Sequence, residues 1–249
     1  MISKSEIKNL SKLTQKKFRI SEQKFIVEGK RLVEEGLKSN FKCLEVFVTE
    51  DFLNSSQEIF NNFNSKKIKH SVINNDDIER LTSTKNPQGI VAVFEIPPSK
   101  EKLIYDKIII CLDNISDPGN VGTILRSCDW FGIKTVFLSK ECAEIFNPKV
   151  LRASMGAIFN LNIFEDMNLV SEISKLKQQN YKTYLADLDG VDYKKIGFKE
   201  KSIIIFSNEA FGPTKELAEI CDTKITISKK GNIDSLNVSA AAAIILSAL

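Results

Sequence analysis

From residue 107 onward the chain repeats one pattern, a short unbroken apolar run followed by a helical stretch. Lys107-Ile108-Ile109-Ile110-Cys111-Leu112 opens it, and similar runs recur at Thr135–Leu138, Thr183–Ala186, Ser202–Phe206 and Lys224–Ile227. A run without polar alternation has no side suited to water, so each predicts a strand buried on both faces of a parallel sheet. Helical periodicity fills the gaps at Val121–Trp130, Leu169–Gln178 and Thr214–Ile220, and an alanine-rich helix starts at about Asn237. Strand alternating with helix is the pattern of an α/β domain.

The preceding hundred residues have a different texture. Phe25-Ile26-Val27 reads as a short strand and Arg31–Leu37 as a helix, followed by strands at Leu44–Val48, Ile68–Val72 and Ile90–Phe94. Ile96-Pro97-Pro98-Ser99-Lys100-Glu101-Lys102 then interrupts the pattern. Neither proline can donate to a ladder or continue a helix. The expected division is a smaller α/β domain over residues 1–95, a linker over 96–104 and the parallel-sheet domain over 105–249.

Charge divides at the same place. Residues 1–100 carry 17 Lys and Arg against 13 Asp and Glu, whereas residues 101–249 carry 18 against 19. Lys4, Lys8, Lys12, Lys16, Lys17 and Arg19 crowd the N-terminus. Such a region suits nucleic-acid docking by counterion release, and equally a solvated lysine-rich helix. Cys43, Cys111, Cys128, Cys142 and Cys221 are odd in number and match no metal-ligand spacing, so reduced thiols, a cytoplasmic protein and no metal are expected. Cys111 and Cys128 read as core. The basic N-terminus leads into no apolar signal segment, and the stretch Val238–Leu249 is too short to span a bilayer.

Ligands of open α/β sheets bind beyond the carboxyl ends of the strands. Three polar loops stand there. Asp113-Asn114-Ile115-Ser116-Asp117-Pro118-Gly119-Asn120 follows the first run, Ser207-Asn208-Glu209-Ala210-Phe211-Gly212 follows Phe206, and a loop through Gly231 leads to Ser235-Leu236-Asn237. The Gly119 and Gly122 pair lacks the third glycine of a dinucleotide fingerprint. The single histidine, His70, lies in the N-terminal segment, so proton transfer in the second must use other groups.

At these loops the sequence resembles the SpoU (TrmH-like) RNA ribose 2′-O-methyltransferases of the SPOUT class. Asn120-Val121-Gly122-Thr123-Ile124-Leu125-Arg126 is similar to that family's first motif, Ser207–Gly212 to its second and Ser235–Ala241 to its third. Phe25–Gly29 and Asn86–Ile90 resemble the start and end of a substrate-binding domain found in many members. The resemblance implies a SPOUT domain with a trefoil knot, an exception to unknotted topology, behind a ribosomal-protein-like RNA-binding domain. It also implies S-adenosylmethionine as cofactor, rRNA or tRNA as partner with rRNA favoured, and a homodimer. Three positions depart from the pattern: Ser207 and Ala210 stand where glycine is usual, and Ser228 where proline is usual. A second reading follows from them, an RNA-binding module of weakened catalysis.

The resemblance implies a catalytic set of Arg126, Asn120, Glu209, Ser235 and Asn237, with Ser207, Ile227 and Leu236 holding the cofactor. By the same resemblance Arg126 is expected to activate the hydroxyl or anchor the neighbouring phosphate; a guanidinium is a poor base at its usual pKa, which makes positioning the easier role. Asn120 is expected to cap the helix at Val121 while its amide orients Arg126 or the ribose, and Glu209 to hold Arg126 or Asn120 by a charge-assisted hydrogen bond. One of Ser235 and Asn237 is expected to cap the last helix. Arg152 meets RNA or closes the fold.

Overall fold

The computed structural model describes residues 2–56, 63, 68–98, 103, 105–208 and 211–249. Contacts divide the chain into two compact units, Met1–Ser99 with Phe146–Phe159, and Lys100–Ile145 with Asn160–Leu249.

The first unit opens with helix α1 (Lys4–Ser11), where Ser3 and Glu6 form a reciprocal capping box. Helix α2 (Lys16–Glu22) leads into strand β1 (Lys24–Glu28), followed by α3 (Lys30–Lys38) and β2 (Cys43–Val48). Then come α4 (Glu50–Ser55), β3 (His70–Val72), α5 (Asn75–Leu81) and β4 (Ile90–Glu95). The sheet order is β1-β4-β2-β3, with β4 antiparallel to both neighbours and β3 parallel to β2. One face buries Ile7, Leu13, Ile26, Phe47, Ile78 and Val91. The other carries an aromatic cluster in which Phe146 packs on Phe25 with ring centroids 4.4 Å apart, and Phe159 on Phe94 at 5.7 Å. Gly36 lets α3 approach this cluster, because a Cβ there would stand 2.6 Å from Phe94 Cζ.

Helix α6 (Pro118–Trp130) and helix α7 (Pro148–Ser154) lie in one continuous stretch of sequence, yet α7 belongs to the first unit. There Arg152 bonds Glu28 and Ser83, so it closes the fold. Arg19 also departs from the surface role expected of the basic N-terminus: it is buried and donates to Leu13 O at 2.8 Å.

The second unit is a six-stranded sheet, all parallel, formed by β5 (Ile108–Asp113), β6 (Thr135–Leu138), β7 (Asn162–Phe164), β8 (Lys182–Asp192), β9 (Ser202–Ser207) and β10 (Thr223–Thr226). Their order is β10-β8-β9-β5-β6-β7. Helices α8 (Leu169–Lys177), α9 (Lys215–Ile220) and α10 (Val238–Leu246) complete it, and α10 packs along α6. Ile109, Cys111, Phe137, Ile173, Leu185 and Ile205 form one of its cores. Cys128 is buried as well, and burial pushes both Cys111 and Cys128 far above the ordinary thiol range.

The expected buried runs are strands, with two differences. Ile227 falls one residue beyond β10, and β8 continues to Asp192 where Thr183–Ala186 was expected. The extension is possible because Gly190 passes over the neighbouring backbone: a Cβ there would meet Lys224 O at 2.6 Å. The sequence predicts neither β7 nor α7, elements of three and seven residues whose length is too short to show a period.

Candidate active site

Parallel pairing delivers β5, β9 and β10 to the same end of the sheet. After β5 the chain builds outward through β6 and β7, then returns to the opposite side, so β5 and β9 flank the switch point where α/β sheets bind ligands. Asp113 and Ser207 are register partners at that point.

The loop after β9 folds back onto the end of β5. Asn208 N donates to Asp113 O at 3.1 Å, and Asn208 Nδ2 donates to Asn114 O at 3.1 Å. Gly212 N returns to Asn208 O at 2.8 Å, and Thr214 N donates to the Asp113 carboxylate at 3.3 Å. Burial raises the Asp113 pKa, the Thr214 N–H opposes the rise, and Glu141 adds to it. Asn114 holds a left-handed φ of 56°, which asparagine tolerates better than most residues, and its N–H donates to Ser139 Oγ. Asp113, Asn114 and Asn208 were given no role in the sequence reading. Their signal was place alone: polar residues immediately after two buried runs.

Helix α6 starts earlier than expected. Asp117 is its N-cap, accepting from Asn120 N at 2.8 Å, and Pro118 occupies the first turn. Asn120 therefore does not cap the helix. Its side chain reaches the third motif instead, where Asn237 Nδ2 donates to Asn120 Oδ1 at 2.9 Å. Asn237 is the N-cap of α10, its Oδ1 accepting from Ser239 N at 2.9 Å and Ser239 Oγ at 2.6 Å. These contacts determine both amides. A backbone N–H is an obligatory donor, so Asn237 must turn its oxygen to the helix and its nitrogen to Asn120. The Asn120 Nδ2 is then left facing away from that bond as a donor.

Arg126 lies on the exposed side of α6 with Thr123, and among the described residues it makes no hydrogen bond or ion pair. Ser207 ends β9 half-buried and has no positive φ, so the serine carries no left-handed strain. Ile227 is half-buried, whereas Ser235 and Leu236 are exposed. From Lys229 to Leu236 every residue is exposed and none makes a hydrogen bond among the described residues. Glu209 and Ala210 lie outside the described residues. The structure thus joins Asn120 to Asn237 and sets Ser207 at the switch point.

A parallel sheet with polar loops at its switch point defines a ligand-binding α/β domain, and comparison with known proteins narrows the class. The SpoU rRNA Methylase family matches residues 107–247, and an MRM3-like substrate binding domain matches residues 4–92. The chain is 33% identical over 242 residues to the 23S rRNA (guanosine(2553)-2'-O)-methyltransferase RlmP of Bacillus subtilis, covering 97% of this chain and 94% of that one. It is 33% identical over 186 residues to the mitochondrial rRNA methyltransferase 3 of Homo sapiens, covering 70% of this chain and 42% of the relative. Among solved structures, the AdoMet-bound rRNA methyltransferase of Sinorhizobium meliloti superposes with a TM-score of 0.86 at 26% identity, over 100% of this chain and 95% of the other. The chain belongs to the SpoU rRNA methylase family.

Proposed function

We infer that this chain transfers the methyl group of S-adenosylmethionine to a ribose 2′-hydroxyl of ribosomal RNA. The observation that carries the reading is the Asn120–Asn237 hydrogen bond, which joins the first and third motifs. The relatives named for rRNA methylation support rRNA over tRNA.

The residues fit the cofactor. Loop 229–236 offers backbone donors and acceptors without intramolecular partners among the described residues, together with Ile233 and Leu236 as exposed apolar side chains, 67% and 41% accessible. An adenosine needs that combination, an apolar wall with a few convergent polar groups. Ser207, Ile227 and Leu236 would hold it. When bound, the cofactor supplies an electrophilic sulfonium methyl. Asn120 Nδ2 donates to the ribose or its phosphate, and Arg126 binds the phosphate and positions the hydroxyl. Glu209 orients Arg126 or Asn120, and Ser235 and Asn237 complete the catalytic set. The negative φ of Ser207 favours an active enzyme over a weakened binding module.

Residues 1–95 would dock the RNA, 96–104 link, and 105–249 carry the knotted transfer domain. Trp130 and Phe131, 83% and 41% exposed at the end of α6, support a homodimer through that helix. Five free cysteines suit the cytoplasm. No helix among the described residues is long and apolar enough to cross a membrane.

The test is methyl transfer from labelled S-adenosylmethionine to 23S rRNA, with the product nucleotide mapped by its resistance to alkaline cleavage. Label on a base rather than a ribose, or none with cofactor bound, would overturn the reading.

A further inference from the structure

Several cations of the first unit are already engaged. Lys42 pairs with Glu95, Lys69 with Glu45 and Arg80 with Asp77. The side chains of Lys4, Lys8 and Lys16 make no hydrogen bond or ion pair among the described residues, and neither do those of the exposed Lys30, Arg31, Lys85 and Lys149. The last four come from three segments far apart in sequence that a single network gathers. Glu28 is its hub, accepting from Ser83 N at 2.8 Å, from Ser83 Oγ at 3.3 Å and from Arg152. Gln88 Oε1 accepts from Lys30 N at 2.9 Å, which ties the turn after β1 to the loop before β4. Lys149 stands one turn before Arg152 on α7.

We propose that this composite face, built from Glu28–Arg31, the loop 82–89 and the start of α7, grips the sugar–phosphate backbone of the RNA substrate. Glu28 is the sole carboxylate in those three segments, and Arg152 neutralises it. What remains outward is positive. The frame is held together from within: the Glu28 side chain is only 9% exposed and each segment is tied through a backbone N–H or a guanidinium.

The inference rests on the RNA reading above, and one titration separates the two. Binding of transcribed 23S rRNA is measured against salt for the unaltered protein, for a variant with Lys30→Glu, Arg31→Glu, Lys85→Glu and Lys149→Glu, for its counterpart with Gln at all four positions, and for Lys4→Glu, Lys8→Glu, Lys16→Glu. Each lost phosphate contact flattens the slope of log K against log salt by about 0.7 to 0.9. We expect the four-site variants to bind at least about tenfold more weakly at low salt with a flattened slope, and the N-terminal variant to keep the original slope. Unchanged cofactor affinity and melting temperature show that the variants are folded, and the neutral Gln set serves if the Glu set is not. An unaltered slope in the folded four-site variants, or flattening confined to the N-terminal one, overturns this proposal alone. Failure of the unaltered protein to bind the RNA overturns both.

Discussion

At the scale of single residues, Arg126 and Asn237 do separable work. Arg126 has no partner to hold among the described residues, so its removal leaves the fold as it is. Arg126→Ala is expected to keep cofactor affinity while the single-turnover transfer rate at saturating RNA falls by at least about a hundredfold, the range of a positioned acid–base group. Arg126→Lys recovers little, because an ammonium cannot make the two-pronged contact. A near-normal rate would reduce Arg126 to an RNA anchor. Asn237 caps α10 with its oxygen and orients Asn120 with its nitrogen. Asn237→Ala loses the cap, about 1 kcal/mol of stability. Asn237→Asp keeps it, since a carboxylate still accepts from Ser239 N, but Asn120 must turn its amide over to donate. The Asp variant should therefore melt like the parent and turn over slowly. Equal rates would show that the Asn120 amide has no preferred direction in the reaction.

At the scale of elements, the two ends of the loop 229–236 are anchored by side chains. Asn237 holds one end, and Ser228 Oγ donates to Asp192 on β8 at the other. A serine stands where the family usually has proline, and a hydrogen bond restrains the backbone that a ring would have restrained. Ser228→Ala should raise KM for S-adenosylmethionine severalfold with kcat little changed, and Asp192→Asn, which retains an acceptor, should leave both near the parent's. A kcat loss in Ser228→Ala with unchanged KM would place the tether outside cofactor binding. The opposite end of the sheet has its own fastening. Asp222 accepts from Thr183 N and Oγ1 at 3.0 Å each and pairs with Lys177 at 2.9 Å. Burial pushes its pKa up, but the Lys177 and Thr183 bonds overcome this and the net direction is down. A depressed carboxylate binds fewer protons folded than unfolded just below its ordinary pKa of about 3.9, so its stabilisation is present above that value and lost as pH falls through the folded pKa. Asp222→Asn should flatten the acid limb of the melting-temperature profile. An unchanged limb would assign acid lability to other carboxylates.

At the scale of the whole molecule, the segment 146–159 changes what a truncation does. The sequence reading places a clean break near residue 100, so that residues 101–249 alone would fold. Phe146 and Phe159 instead complete the aromatic cluster of the first unit with Phe25, Phe41 and Phe94. A chain shortened to 100–249 should expose both rings and aggregate, and polar replacements at Phe146 and Phe159 should restore a monodisperse species by light scattering. A well-behaved shortened chain without them would mean that the segment repacks. The unbroken apolar runs determined by themselves that a parallel α/β domain forms and placed β5, β6 and β9 to within a residue, since burial on both faces is written into each residue of the run. The motifs likewise named Asn120 and Asn237, which a hydrogen bond joins. Only the tertiary structure decided that Asp117 and not Asn120 caps α6, that Asn120 bonds Asn237, that Arg19 is buried and that Arg152 pairs with Glu28. Each is a contact between polar groups, some more than a hundred residues apart. Such pairings carry no periodicity, and they exist only once the packing of apolar surfaces has brought their partners within hydrogen-bonding reach.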